Sequence, residues 1–194
     1  MSKKLLTILY PGFAEWEVVF PLFCIHPAVQ PVYVSLDEHR VRGAMGFEME
    51  TERSMAEVDP EEFDGVLLPG GMDPDTGRFP RRLGSNAGLL EILQGFDRPE
   101  KAVAAICGAP LVLGAAGLLR ERRFTCDIED DTQRWFDEAH RVDGTWVLDG
   151  HILTASVRGL VPFSIALAQI HGEEETARQI AEAFNLEIPT KYSA

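Results

Sequence analysis

Apolar residues in this chain alternate between two spacings, and that alternation predicts the architecture. Leu5–Tyr10, Val32–Leu36, Gly65–Leu68 and Ala102–Ile106 are short continuous apolar runs, the kind buried on both faces of a parallel sheet. Helical spacings lie between and after them. Glu15–Cys24 sets Trp16, Val19, Phe20 and Phe23 at i, i+3, i+4 and i+7, a stripe expected to pack on the sheet. Pro21 inside it removes one helix bond and predicts a kink. Asn86–Phe96 gathers Leu89, Leu90, Leu93 and Phe96 on one side, and Asp130–Ala139 presents Thr132, Trp135, Phe136 and Ala139. Leu160–Ile170 and Glu173–Phe184 predict two closing helices, with Gly172 of His171-Gly172 as the stop between them.

Shorter signals complete the pattern. Val41–Glu50 contains Gly43 and Gly46 and suggests a short edge hairpin, and Arg123–Cys126 a short strand. Thr145–Leu148 and His151–Ala155 read as strands joined by Asp149-Gly150, a strong hairpin signal. No repeat, linker or shift in composition divides the chain. The expectation is an α/β fold: one domain over 1–194, a doubly wound and mostly parallel sheet flanked by helices. Ligands bind such sheets beyond the carboxyl ends of the strands. The glycine-containing turns after Tyr10, Leu68 and Ile106 are therefore expected to converge.

Cys107 occupies the third of those turns. It follows the apolar run Ala102–Ile106 directly, with Gly108 and Ala109 before a run of helix formers. A side chain at a sharp strand-to-helix turn is pushed out of the sheet, and the small residues Ala105 and Ala109 flank it as in a nucleophile elbow. The first amides of a helix carry partial positive charge, so this placement predicts a lowered thiol pKa and a site for an oxyanion. A buried structural cysteine is the competing reading.

Other residues can assist such a thiol. Glu17, in Pro11-Gly12-Phe13-Ala14-Glu15-Trp16-Glu17, is a candidate proton carrier. Glu15 is read as an acid that merely favours the helix N-terminus. Gly70 and Gly71, after Leu67-Leu68-Pro69, expose backbone amides that could complete an oxyanion hole with that of Gly108. Asp127, after Cys126, could orient a ligand or water near Cys107, or could cap a helix beginning near Glu129. None of His26, His39, His140, His151 and His171 falls at a strand end expected near Cys107. His171-Gly172-Glu173 is read as a helix boundary. Cys24, Cys107 and Cys126 are too dispersed for a metal site, and Gly70-Gly71-Met72-Asp73-Pro74 lacks the Lys-Ser/Thr of a phosphate loop, so neither metal nor cofactor is expected.

Bulk properties narrow the partners. Net charge is −13 over 194 residues, and the basic Arg120–Arg123 stretch is not interleaved with aromatics, which argues against nucleic acid and anionic membrane. No apolar stretch reaches the ~18 residues of a membrane span. The opening apolar run ends at Tyr10-Pro11-Gly12, too early for a signal peptide. Three cysteines are few and odd in number, so a reducing, cytoplasmic location is expected.

Five motifs in order carry a resemblance: YPGFAEWE with Glu17 four residues before Pro21, LLPGG, AAICGAP, GLLRERRFTC and LTASVRGLVPFSIALAQI. Together they resemble the DJ-1/PfpI superfamily, within the class I glutamine amidotransferase-like, flavodoxin-like fold, and in particular its bacterial amidotransferase-like or protease-like branch. The resemblance implies that Glu17 hydrogen-bonds Cys107, that Gly71 and the amide after the nucleophile line the oxyanion site, and that the protein is a homodimer. Two departures stand out. The protease-like branch has a histidine directly after the nucleophile, where this chain has Gly108, so peptidase activity is not expected. Asp127 stands where other members carry a histidine or tyrosine. The hydratase branch, with aspartate and threonine at the places of Glu17 and Gly108, fits less well.

Three readings follow. One is an enzyme of cysteine chemistry, glyoxalase-, deglycase- or hydrolase-like, acting on a small carbonyl or acyl compound. The second is a redox-sensing or stress-protective protein whose Cys107 meets an oxidant and stops at the sulfinic step. The third is a binding module with an inert pocket.

Overall fold

The structure, a computed structural model, describes residues 3–36, 39–128 and 133–188. In chain order the strands are β1 (Lys3–Leu9), β2 (Val29–Ser35), β3 (Arg40–Arg42), β4 (Glu48–Glu50), β5 (Arg53–Ser54), β6 (Gly65–Leu68), β7 (Ala102–Ile106), β8 (Arg123–Phe124), β9 (His140–Arg141), β10 (Trp146–Asp149) and β11 (Ile152–Ala155). The helices are α1 (Trp16–Ile25), α2 (Ala87–Gln94), α3 (Pro110–Ala115), α4 (Leu160–Ile170) and α5 (Glu174–Ala183). The main sheet has seven strands in the order β10-β11-β7-β6-β1-β2-β5. Every pairing in it is parallel except β10 with β11.

The central strands are buried from end to end, as continuous apolar runs require when helices cover both faces. The crossover from β1 runs outward to β2, whereas those from β6 and β7 run the opposite way across the sheet. Crossovers keep a right hand, so this reversal puts the connecting helices on opposite faces. Accordingly α1, α4 and α5 pack together, and α2 packs with α3. The five parallel strands β2-β1-β6-β7-β11 have the flavodoxin-like order, whose direction reverses between β1 and β6. The expected convergence is observed: β1, β6 and β7 are adjacent, and their carboxyl ends open on one place.

Three expectations are corrected. Of the α1 stripe only Phe20 packs against the core, and Trp16, Val19 and Phe23 are 37%, 61% and 73% exposed. The buried face is Glu17, Val18, Pro21, Leu22, Cys24 and Ile25. This helix is apolar nearly all round, so periodicity alone could not choose its inner side. The helix runs on through Pro21. The second correction concerns Asp130–Ala139, of which 130–132, including Thr132, lie outside the described residues. The rest is a 3₁₀ turn at Gln133–Trp135 followed by β9. Phe136 stacks on Phe124 at 4.6 Å between ring centroids, so packing of one buried pair, not a helical stripe, produced the apolar spacing. Third, the hairpin near Val41–Glu50 forms as β3–β4 but as a ribbon of its own, and β5 is the sheet edge.

Elsewhere boundaries shift by three residues or fewer. Asn86 caps α2 by accepting from the N–H of Leu89 at 3.0 Å. Gly150, at φ 64°, makes the β10–β11 turn.

Candidate active site

Cys107 has φ 62°, the left-handed region that non-glycine residues seldom adopt. The strained conformation costs ~1–3 kcal/mol and is held from both sides. The Cys107 N–H donates to the Ala155 carbonyl at 2.8 Å, and the Cys107 carbonyl accepts from the N–H of Asp127 at 2.9 Å. The half-buried thiol stands in a cavity of about 430 Å³ whose wall includes Gly71, Gly108, Asp127 and Phe79. Strand β7, the sharp turn and the short helix α3 thus form the elbow anticipated from the sequence.

Glu17 is fully buried on the inner face of α1. Its Oε2 accepts from the N–H of Gly70 at 2.7 Å, while Oε1 has no hydrogen-bond partner. Burial raises the carboxyl to about 7, the charge of Asp127 adds to the rise, and hydrogen bonds from Gly70 and with the Cys107 and Trp16 side chains oppose it. Glu17 is therefore near half-protonated at neutral pH.

The expected lowering of the thiol pKa is not found. Burial drives Cys107 well above the ordinary thiol range, the charges of Glu17 and Asp127 push it further, and the N–H of Gly108 offsets only part. Helix α3 has six residues and begins at Pro110, which lacks an N–H, so little positive end faces the sulfur. Glu17 and Cys107 are better treated as a pair. The first proton leaves the pair near the value of Glu17, and the second ionisation, at the thiol, is strongly opposed.

The turn after β6 is fitted to this pair. A Cβ on Gly70 would come within 2.5 Å of the Cys107 Cβ and 2.8 Å of Glu17 Oε2, so only glycine permits the approach. The N–H of Gly70 is engaged by Glu17, which removes it from the expected oxyanion set. Gly71 and Gly108 remain on the cavity wall, and the N–H of Gly71 meets no backbone acceptor among the described residues. A Cβ on Gly108 would lie 2.4 Å from the Phe79 ring, which closes over that position.

Asp127 lines the cavity, and its Oδ2 accepts from the N–H of Val157 at 2.6 Å. It ties the segment before α4 to the elbow. The alternative helix near Glu129 lies outside the described residues. No histidine lines the cavity among the described residues. Sequence reading passed over two residues here. Tyr10 is buried and donates its hydroxyl to the Pro69 carbonyl at 2.7 Å, bracing the Gly70 turn. Phe79 meets Tyr10 edge-on at 6.3 Å. Glu15 was misread: both its oxygens accept from the N–H of Met45, at 2.9 and 3.0 Å, and Oε1 also accepts from Phe47 at 3.3 Å.

A doubly wound α/β fold with an elbow cysteine and a buried carboxyl beside it defines the class. The chain belongs to the DJ-1/PfpI family, whose sequence model matches residues 3–169. It is 34% identical over 155 residues to Deglycase TK1284 of Thermococcus kodakarensis, covering 76% of this chain and 90% of that protein. It is 32% identical to Deglycase PfpI of Pyrococcus furiosus, with the same coverage. Among solved structures, the DJ-1 superfamily protein STM1931 from Salmonella typhimurium superposes with a TM-score of 0.76 at 28% identity, covering 95% of this chain and 99% of that one.

Proposed function

We propose that this chain is a cysteine-dependent enzyme that acts on small carbonyl or acyl compounds, in the manner the deglycase names of its relatives suggest. The observation that carries the reading is the buried Glu17 carboxyl, one oxygen unpartnered, set against a thiol held at a left-handed elbow. In the reactive form the proton resides on Glu17 and the charge on sulfur. The thiolate attacks the carbonyl carbon and an S–C bond forms. The π pair moves to the carbonyl oxygen, which the N–H groups of Gly71 and Gly108 receive. Glu17 then returns its proton to that oxygen or to the departing group. Asp127 orients a ligand or water at the cavity wall. Turnover of methylglyoxal tests the reading: Cys107→Ala should abolish it, and a variant as fast as the parent defeats the proposal.

A second reading is favoured by the same protonatable Glu17. Peroxide takes the Cys107 sulfur stepwise to a sulfinate, with one water released per step, and the neutral carboxyl donates a hydrogen bond to the product. Intact-mass measurement after mild peroxide would show the two-oxygen adduct, and an unmodified Cys107 at doses that oxidise a free thiol would remove this reading.

We further propose a cytoplasmic homodimer. Cys24, Cys107 and Cys126 are all free of disulfides, and the outward apolar stripe Trp16, Val19 and Phe23 offers a second copy a surface to cover. Light scattering that returned the mass of one chain at micromolar concentration would exclude it.

A further inference from the structure

The wall of the Cys107 cavity carries cations as well as carboxylates. Asp127 lines it and Glu17 stands behind the thiol, while Arg78 and Arg81 line another stretch. A second hollow shares Arg81 and adds Arg82 and Arg134. Four arginines thus border two adjoining hollows in a chain of net charge −13. Three of them are occupied: Arg82 pairs with Asp73, Arg134 lies over the Trp135 ring at 4.1 Å, and Arg81 has an interaction of its own.

Arg78 differs. Its backbone is fixed, since its carbonyl accepts from the N–H of Asp73 at 2.8 Å and its N–H reaches the Thr76 hydroxyl at 3.4 Å. Arg78 is exposed, and its guanidinium has neither hydrogen bond nor ion pair among the described residues. It adjoins Phe79, the residue that closes over Gly108. A planar fork of donors without a counter-ion, in a strongly acidic chain and on the wall that holds the nucleophile, matches an oxyanion in shape and charge. A neutral aldehyde would need no such group. An anionic substrate would, because the charge shared by Glu17 and Cys107 and that of Asp127 would otherwise repel it.

We propose that Arg78 determines specificity by receiving an oxyanionic group, a carboxylate or a phosphate ester, on the carbonyl compound that Cys107 attacks. The inference rests on the reading of Cys107 as nucleophile, and its test separates the two. Alkylation of Cys107 by iodoacetate, an anion, is compared with that by iodoacetamide, its neutral isostere, at fixed ionic strength. The rate ratio should exceed that of free cysteine, and Arg78→Ala should lower it about 3- to 5-fold, the scale of an exposed ion pair. Arg78→Lys should retain part of the ratio, because it keeps the charge and loses the fork. Acetate or inorganic phosphate should compete with iodoacetate, and whichever does so names the group. A ratio indifferent to Arg78→Ala, or competition by neither anion, overturns the proposal. If neither reagent modifies Cys107, the nucleophile reading fails on its own. Pyruvate against pyruvamide, followed by the amide shift of Gly71, still decides the anion site: pyruvate must bind more tightly, and Arg78→Ala must erase the difference.

Discussion

Glu15 and Glu17 stand two residues apart at the start of α1, both are buried, and they do opposite things. The Glu15 carboxyl is filled with donors. It clasps the amides of Met45 and Phe47 at the tip of the β3–β4 ribbon, and Gly43 leaves it room, since a Cβ there would lie 2.4 Å from the carboxyl. The Glu17 carboxyl receives one backbone N–H, hydrogen-bonds with the Cys107 side chain, and keeps one bare oxygen. Burial is common to both, so burial does not assign the role. The balance between burial and donors does: a saturated carboxyl anchors a loop, and at Glu17 burial outweighs the hydrogen bonds and holds a proton near neutral pH.

The strongest way to break this contrast is Glu17→Gln. The amide keeps the shape and cannot exchange the proton, so turnover of a carbonyl substrate should fall by about 10²- to 10⁴-fold, the range for loss of a positioned acid–base group. A variant within a few-fold of the parent would mean that Glu17 is only a buried polar residue. Stability against pH is the next test. Glu17 binds its proton more tightly folded, at about 7, than at its ordinary 4.5. Its contribution is therefore complete below 4.5, is lost as pH rises toward 7, and totals about 3 kcal/mol. The change in urea-unfolding stability between pH 4.5 and 7.5 should therefore differ between the parent and Glu17→Gln, the parent losing more as pH rises. His171 contributes in the opposite direction, because burial lowers it to about 4. Its stability is full above 6.5 and is lost as pH falls, so in the parent it offsets much of the Glu17 decline, and His171→Gln should uncover that decline between 4.5 and 6.5.

On the other side of the contrast, Glu15→Ala should cost about 1–3 kcal/mol by orphaning the ribbon amides, read as a melting temperature several degrees lower. Loss of turnover as large as that of Glu17→Gln with no loss of stability would merge the two roles. The smallest effect is that of Asp127→Asn. Its charge raises both Glu17 and Cys107, so neutralising it should move the midpoint of Cys107 alkylation to lower pH by a fraction of a unit.

The elbow was legible because it is local. A strand-type run, a cysteine and small residues are contiguous in sequence, and β1, β6 and β7 followed from continuous apolar runs. The convergence of their three turns followed from the general rule for open parallel sheets. What was not legible depends on partners brought from elsewhere. Nothing in the sequence around Glu15 announces a ribbon tip thirty residues away. Nothing around Gly70 says that its amide is taken by a carboxyl rather than left for an oxyanion. The inner face of α1 was hidden because both its sides are apolar. The direction of the Cys107 pKa was missed for a similar reason: a local helix end was counted, and burial with two distant carboxyls was not.

The bonds that build the pocket span long stretches of chain. Glu17 reaches Gly70 across 53 residues, Tyr10 reaches Pro69 across 59, and Asp127 reaches Val157 across 30. The Cys107 amide itself waits for Ala155. Contacts of that separation must close large loops, so they form late. During synthesis Cys107 leaves the ribosome long before the strand that holds its elbow, and until then its sulfur is an ordinary, freely ionising thiol. Folding therefore transforms the chemistry of this atom as well as its position, and the rate at which Cys107 changes its response to an alkylating reagent is a clock for the completion of the fold.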